Sequence, residues 1–298
     1  DFRDLGKGIL ATTFFVSNIL FWREAGYFAG PAEELPLLHT WSLAVEEQFY
    51  IFFPLYLILL FKFFKGRVFW LTLMFFALSL GLSIWGVLYE PTATFYLLPT
   101  RAWELFIGSL LAFSVIPVAK NSWMNEGLAA SGALMIIASV VLYTNETPFP
   151  GLAALLPCLG AGLIIYAGQE GHSSLTAKIL SLKPFVFIGL ISYSLYLWHW
   201  PLIVYVKYIN FGQLSMAKGL GVVAVSILLS YISWRYVEQS FRGRGSTFSR
   251  AKIFTMGFSS MTVFTVIGAA ILFTNGAQWR ANDTVIAYEA VKDEIAEL

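Results

Sequence analysis

Charge is what this sequence has least of. Only 12% of its 298 residues are Asp, Glu, Lys or Arg, while 58% are hydrophobic and mean hydropathy is +0.71. Soluble proteins carry about 25% charged residues. So few charges cannot cover a water-facing surface, and the chain reads as an integral membrane protein. The alternation of apolar and polar residues that marks an outer-membrane barrel is also missing, because the apolar runs are continuous over helix-spanning lengths. There is no excess of positive charge: the net value is +1, which removes the electrostatic case for nucleic acid. Cysteine is nearly absent. Cys158 stands alone in an apolar run, which excludes an internal disulfide and disfavours a reactive thiolate. Glycine-rich phosphate loops, metal-ligand spacings and a nucleophile elbow are lacking too, so no metal is expected.

What is present is a series of apolar segments. Crossing the ~30 Å hydrocarbon layer takes roughly 20 such residues. Nine candidate spans result: 5–22, 43–64, 68–89, 102–117, 128–143, 150–168, 185–206, 217–236 and 252–274. They predict an all-α, polytopic helical bundle over residues 1–276. The first span is the weakest, diluted by Thr12, Thr13, Ser17 and Asn18. With Asp1 inside, the inner segments hold Arg3, Lys7, Lys62, Lys65, Arg67, Lys120, Lys178, Lys183, Arg235, Arg242, Arg244, Arg250 and Lys252. The outer ones keep Arg23, Arg101, Lys207, Lys218, Arg280 and Lys292. That asymmetry places the N-terminal end inside and the C-terminal end outside. Residues 277–298 turn polar and acidic, and read as an extracytoplasmic linker with amphipathic spacing.

Three polar clusters interrupt the apolar runs. The densest is His39-Thr40-Trp41-Ser42 followed by Glu46-Glu47-Gln48-Phe49-Tyr50. Two adjacent carboxylates in an apolar span are expensive unless paired, hydrated or used. Ser42 is the expected N-cap, and the helix dipole would favour carboxylates just after it. The second cluster is Ser192-Tyr193-Ser194-Leu195-Tyr196-Leu197-Trp198-His199-Trp200-Pro201. At helical spacing Ser192, Tyr196 and His199 share one face, and Pro201 removes a backbone donor just beyond. The third is Arg101 with Glu104, either a helix-end ion pair or a fixed cation for an anion or developing oxyanion. In the predicted topology all three reach the outer half of the membrane. The basic residues around Trp234–Arg242, including Arg235 and Arg242, gather on the inner face, where they contact anionic lipid or a phosphorylated donor.

The motifs Pro36-Leu37-Leu38-His39-Thr40-Trp41-Ser42-Leu43-Ala44-Val45-Glu46-Glu47-Gln48-Phe49-Tyr50, Ser192–Pro201 and Tyr236-Val237-Glu238-Gln239-Ser240-Phe241-Arg242 closely resemble the bacterial membrane acyltransferase-3 family. The likeness is strongest to the branch that O-acetylates lipopolysaccharide O-antigen, peptidoglycan or other surface glycans. It implies a multi-pass protein of the bacterial inner membrane that moves acetyl from cytosolic acetyl-CoA to a sugar hydroxyl outside. His39, Glu46, Glu47, Arg101 and His199 are then the catalytic candidates. Trp41, Ser42, Gln48, Tyr50, Glu104, Ser192, Tyr193, Tyr196 and Trp200 would line the acceptor or acyl path. Arg235 and Arg242 would face the donor. The family's essential first-helix histidine, and the arginine before it, have no counterpart in this chain. The resemblance therefore implies a core segment of a longer enzyme, with helices in front and an SGNH-type outer domain behind. The rival from another class is a transporter or flippase, whose signs would be mid-span charges and matching broken helices. Here the acidic groups sit towards helix ends.

Overall fold

A computed structural model describes residues 2–25, 35–113, 115, 117, 121–169, 174–210, 214–241, 248–276 and 279, with no strand among them. In chain order the helices are α1 (Phe2–Thr13), α2 (Ser17–Ala25), α3 (Thr40–Phe63), α4 (Val68–Tyr89), α5 (Pro91–Tyr96), α6 (Leu98–Ala112), α7 (Ser122–Leu142), α8 (Gly151–Ala167), α9 (Leu175–Leu180), α10 (Lys183–Ile209), α11 (Met216–Ile232), α12 (Gln239–Phe241) and α13 (Arg250–Phe273). A π-helical turn, Ser233–Glu238, joins α11 to α12. The all-α reading holds.

Among the described residues six helices are long and apolar enough to cross a membrane, where the sequence predicted nine spans: α3, α4 with the turn before it, α7, α10, α11 through α12, and α13. Their apolar side chains are largely uncovered, with Val140 78% and Leu88 70% exposed. Such surfaces are untenable in water and suited to lipid, so the chain is a multi-pass membrane protein. Three predicted spans fall short. The run 5–22 is broken at Phe15, which takes φ 57°, and becomes the short helices α1 and α2. The fourth, 102–117, falls in the 15-residue α6, which starts after an extended Leu97 and ends at Ala112. The sixth is α8, 17 residues with Pro157 inside.

The chain forms two compact units. One comprises Asp1–Leu20, Ala29–Trp41 and Tyr193–Leu298; the other comprises Phe21–Phe28 and Ser42–Ser192. In the first, α1 packs on α13 through two glycines. A Cβ on Gly6 would lie 2.8 Å from Ile271 Cγ2, and one on Gly268 would lie 2.8 Å from Leu10 Cγ. The polar residues that weaken the first predicted span also have a packing role. Thr12 Oγ1 is 2.9 Å from Thr40 Oγ1, and Ser17 Oγ donates to Thr40 O at 3.0 Å. They fasten the segment 35–41 and so fix where His39 sits.

In the second unit α7 and α8 cross so closely that a Cβ on Gly132 would be 2.5 Å from Gly160 O. Lipid supplies no hydrophobic drive between helices, so close backbone approach at small residues has to supply the packing. Against α6, α4 presents Ser79, whose hydroxyl donates to Pro99 O at 2.7 Å and accepts the Trp103 N–H at 3.0 Å. Trp103 is fully buried beside Phe76. Phe49, Phe53 and Tyr56 of α3 stack around Phe106 of α6.

Candidate active site

The first unit brings together residues 157 positions apart. Segment 35–41 lies along α10: the Trp200 indole N–H donates to Leu35 O at 2.9 Å, and the Tyr196 hydroxyl donates to His39 O. Between these tethers three rings meet. His39 and Tyr196 have centroids 5.3 Å apart, His39 and His199 5.9 Å, and Tyr196 and His199 5.5 Å. Tyr196 and His199 share a helical face as their spacing predicts, and His39 closes the cluster from a turn remote in sequence.

The protonation of these rings follows from their neighbours. His199 Nδ1 lies 2.8 Å from Tyr196 O and 3.1 Å from Leu195 O. Carbonyl oxygens only accept, so Nδ1 carries the proton and the neutral ring keeps its lone pair on Nε2. His39 is 7% exposed, both ring nitrogens are sealed from solvent, and neither makes a well-formed hydrogen bond. Burial, then the positive charge that His199 can carry, lower its pKa to about 4; the Leu197 backbone acts in the opposite sense. That carbonyl has no helical partner because Pro201, four residues on, lacks an N–H. His39 is therefore neutral at neutral pH.

A stability signature follows. A histidine whose folded pKa is depressed contributes stability above its unfolded pKa and loses it as pH falls towards the folded value. Thermal unfolding should show a loss of about 2 kcal/mol between about pH 7 and pH 5 that His39→Gln removes, because most of that interval lies between about 6.5 and about 4. An equal acid loss in wild type and variant would contradict the assignment.

Other predicted residues are placed differently. Ser42 does not cap α3. The turn at 36–39 winds directly into the helix, which starts at Thr40, so Ser42 is its third residue. Glu46 and Glu47 are then its seventh and eighth residues, beyond the first turn where the dipole favours carboxylates. Both are half-buried in the second unit, as are Ser42 and Gln48, while Tyr50 is 56% exposed. Trp41 is half-buried in the first unit. The Trp200 N–H is engaged by Leu35, which makes this residue a tether. Ser192 Oγ donates to Gly189 O at 2.9 Å, and Tyr193 is half exposed. Arg235 is exposed and reaches Gln239 Oε1 at 3.1 Å; Arg242 lies outside the described residues.

In the second unit Arg101 and Glu104 form a 2.9 Å ion pair, with side chains only 13% and 18% exposed. The guanidinium also donates to Phe95 O at 3.3 Å and lies 5.6 Å from the ring centres of both Phe95 and Phe149. Glu104 Oε1 is buried with no hydrogen-bond partner. This is a fixed internal pair and not the exposed helix-end pair that sequence spacing alone allows. Among the described residues no three His, Cys, Asp or Glu side chains converge as a metal site.

Sequence reasoning missed the contribution of Glu238 to this region. Glu238 stands among the residues of the inner basic segment, yet its Oε2 accepts a hydrogen bond from the buried Ser194 hydroxyl at 3.2 Å. The signal available was its place in the Tyr236–Arg242 motif.

Comparison with known proteins bears on what this cluster serves. Residues 6–235 match the acyltransferase-3 family, described as an acyltransferase domain. The chain belongs to the acyltransferase-3 family. Its relatives include the O-acetyltransferase OatA of Staphylococcus aureus, 35% identical over 255 residues that make up 80% of this chain and 42% of that protein. The peptidoglycan O-acetyltransferase OatA of Listeria monocytogenes is 30% identical over 261 residues, 82% of this chain and 41% of that protein. The chain thus spans about two fifths of the length of these relatives. No solved structure matches it. Within the acyltransferase-3 match fall His39, Tyr196 and His199, as well as Arg101 and Glu104; Glu238 lies just past its end.

Proposed function

We propose that this chain performs O-acetyl transfer, from acetyl-CoA to a hydroxyl of a cell-surface glycan such as peptidoglycan. The observation that carries the reading is the His39–Tyr196–His199 cluster, which holds two imidazoles side by side within a membrane acyltransferase domain. O-acetylation needs a base within hydrogen-bond reach of the attacking hydroxyl. His199 Nε2 has the required lone pair, because its Nδ1 proton is engaged by backbone carbonyls. As the sugar oxygen bonds to the acetyl carbon, its proton passes to Nε2, and it leaves with the departing group as the acetyl carbon's old bond breaks. His39 keeps the adjacent volume dry and neutral.

The rest of the reading concerns placement. The loop charges support a C-terminal end outside a bacterial plasma membrane, with residues 1–276 as the transmembrane domain and 277–298 as an outer linker, on the reading that α1 with α2, α6 and α8 also cross. His199 is sixteen residues beyond Lys183, or about 24 Å along α10, in the outer half of that topology. Arg242 is the donor-side cation of this reading, whereas Arg235 stands in the π turn bonded to Ser194 and Trp198 and would meet the donor at that depth. Glu46 and Glu47 serve the acceptor, and Arg101 with Glu104 is a fixed charge pair of the second unit.

The test is transfer of label from radiolabelled acetyl-CoA in membranes that contain the protein. Base-labile label on a glycan, absent with His199→Ala, is the expected result. Movement of an intact solute across the membrane with no ester formed would overturn the reading in favour of a transporter.

A further inference from the structure

α10 carries two working faces. One holds Tyr196, His199 and Trp200 against segment 35–41, as described above. The other holds Ser194 and Trp198, one helical turn apart, and both donate to the π-helical turn that follows α11. Trp198 Nε1 donates to Ser233 Oγ at 2.8 Å, and Ser194 Oγ donates to Glu238 Oε2 at 3.2 Å. Rising numbers on one strand of contacts meet falling numbers on the other, so the two helices run antiparallel.

The π turn is what makes this pair of bonds possible. In an α-helix residues five apart point about 140° away from each other, and the residue stacked over Ser233 would be the apolar Val237. A π turn closes its hydrogen bonds five residues apart, as the Gln239 N–H to Trp234 O bond shows. That geometry stacks Glu238 over Ser233. The two acceptors then match the spacing of Ser194 and Trp198 one turn apart on α10. Tyr196 and Trp200 already tie one face of α10 to segment 35–41, and these two directional bonds on another face add a second restraint against rotation about its axis.

We propose that Ser233 and Glu238 are positioning residues: the π turn helps to fix the rotation of α10 and thereby aims the Nδ1-protonated ring of His199 at His39. The proposal rests on the acetyl-transfer reading for its functional consequence, but not for its structural one. The chain has three histidines, so ¹⁵N NMR of histidine-labelled protein in lipid resolves the His199 ring directly. Wild type should show a single Nδ1-protonated form for this residue. Glu238→Ala and Trp198→Phe should each split or shift that signal, while Glu238→Gln, whose amide oxygen still accepts from Ser194, should retain it. In acetyl transfer per folded molecule, Glu238→Ala should lower kcat at least tenfold with the donor KM within twofold, and Glu238→Gln should recover to within threefold of wild type. A His199 signal unchanged in Glu238→Ala, or a Gln variant no better than the Ala variant, would overturn the proposal. If wild type transfers no acetyl, the functional reading fails and the NMR comparison still decides this one.

Discussion

Replacing His199 with alanine is expected to abolish measurable acetyl transfer, with a loss of roughly 10²–10⁴-fold, while leaving the protein folded in the membrane. The size of the effect follows from its role as the group that takes the proton, and its specificity follows from how the ring is held. The Nδ1 proton is engaged by Tyr196 O and Leu195 O, both on its own helix, which fixes the tautomer, while the direction in which Nε2 points follows the rotation of α10. Removing the ring leaves those carbonyls with their ordinary helical partners to fall back on, so little stability is lost. Tyr196→Phe should be milder and differ in kind. It deletes the hydroxyl that anchors the His39 backbone but keeps the aromatic ring against both histidines. Comparing initial rates for the two variants at equal amounts of folded protein separates proton transfer from support. Equal losses in both would mean that the cluster acts only as a packing unit.

The second large effect is on folding. Arg101→Ala is expected to cost about 3–5 kcal/mol, the penalty for leaving one partner of a buried ion pair behind. Glu104 cannot escape to water, since its side chain is 18% exposed and its Oε1 is already buried with no partner. Arg101 also holds Phe95 O and rests between Phe95 and Phe149, so the loss includes packing around α5 and the start of α6. The double variant Arg101→Met with Glu104→Leu should recover most of that stability, because two apolar side chains of similar volume need no compensation in that setting. Thermal unfolding in lipid nanodiscs measures both. A double variant as unstable as Arg101→Ala would show that the pair is held for its bonds to the backbone and not for its charge balance. If the double variant folds but transfers no acetyl, the pair serves the chemistry as well.

Most of the membrane architecture was legible from local composition. Apolar runs such as 68–89 and 252–274 became α4 and α13 almost residue for residue, since lipid forces each run to satisfy its backbone within its own helix. The reading failed where a run of adequate length was not one helix. Residues 5–22 broke at Phe15 because their polar side chains bond to Thr40, a partner that hydropathy cannot reveal. The expected cap at Ser42 failed for a related reason: the preceding turn at 36–39 already has helical hydrogen bonding and starts the helix three residues early.

The candidate site divides along the same line. Sequence spacing placed Tyr196 and His199 on one face of α10, because both belong to one regular helix and its period is known in advance. It also singled out His39 as exceptional in an apolar context. Only the tertiary structure brought His39 to that face, through hydrogen bonds from Tyr196 and Trp200 to backbone oxygens of a segment more than 150 residues away. The same holds for the π turn. Ser233 and Glu238 share a face only because that turn departs from the α-helical period, and nothing in their spacing announces the departure. Hydropathy and periodicity are properties of a chain segment in contact with its solvent, so the sequence by itself determined class, spans and motif faces. Which faces meet depends on helix rotation and on directional bonds between distant residues, and that the fold alone decided.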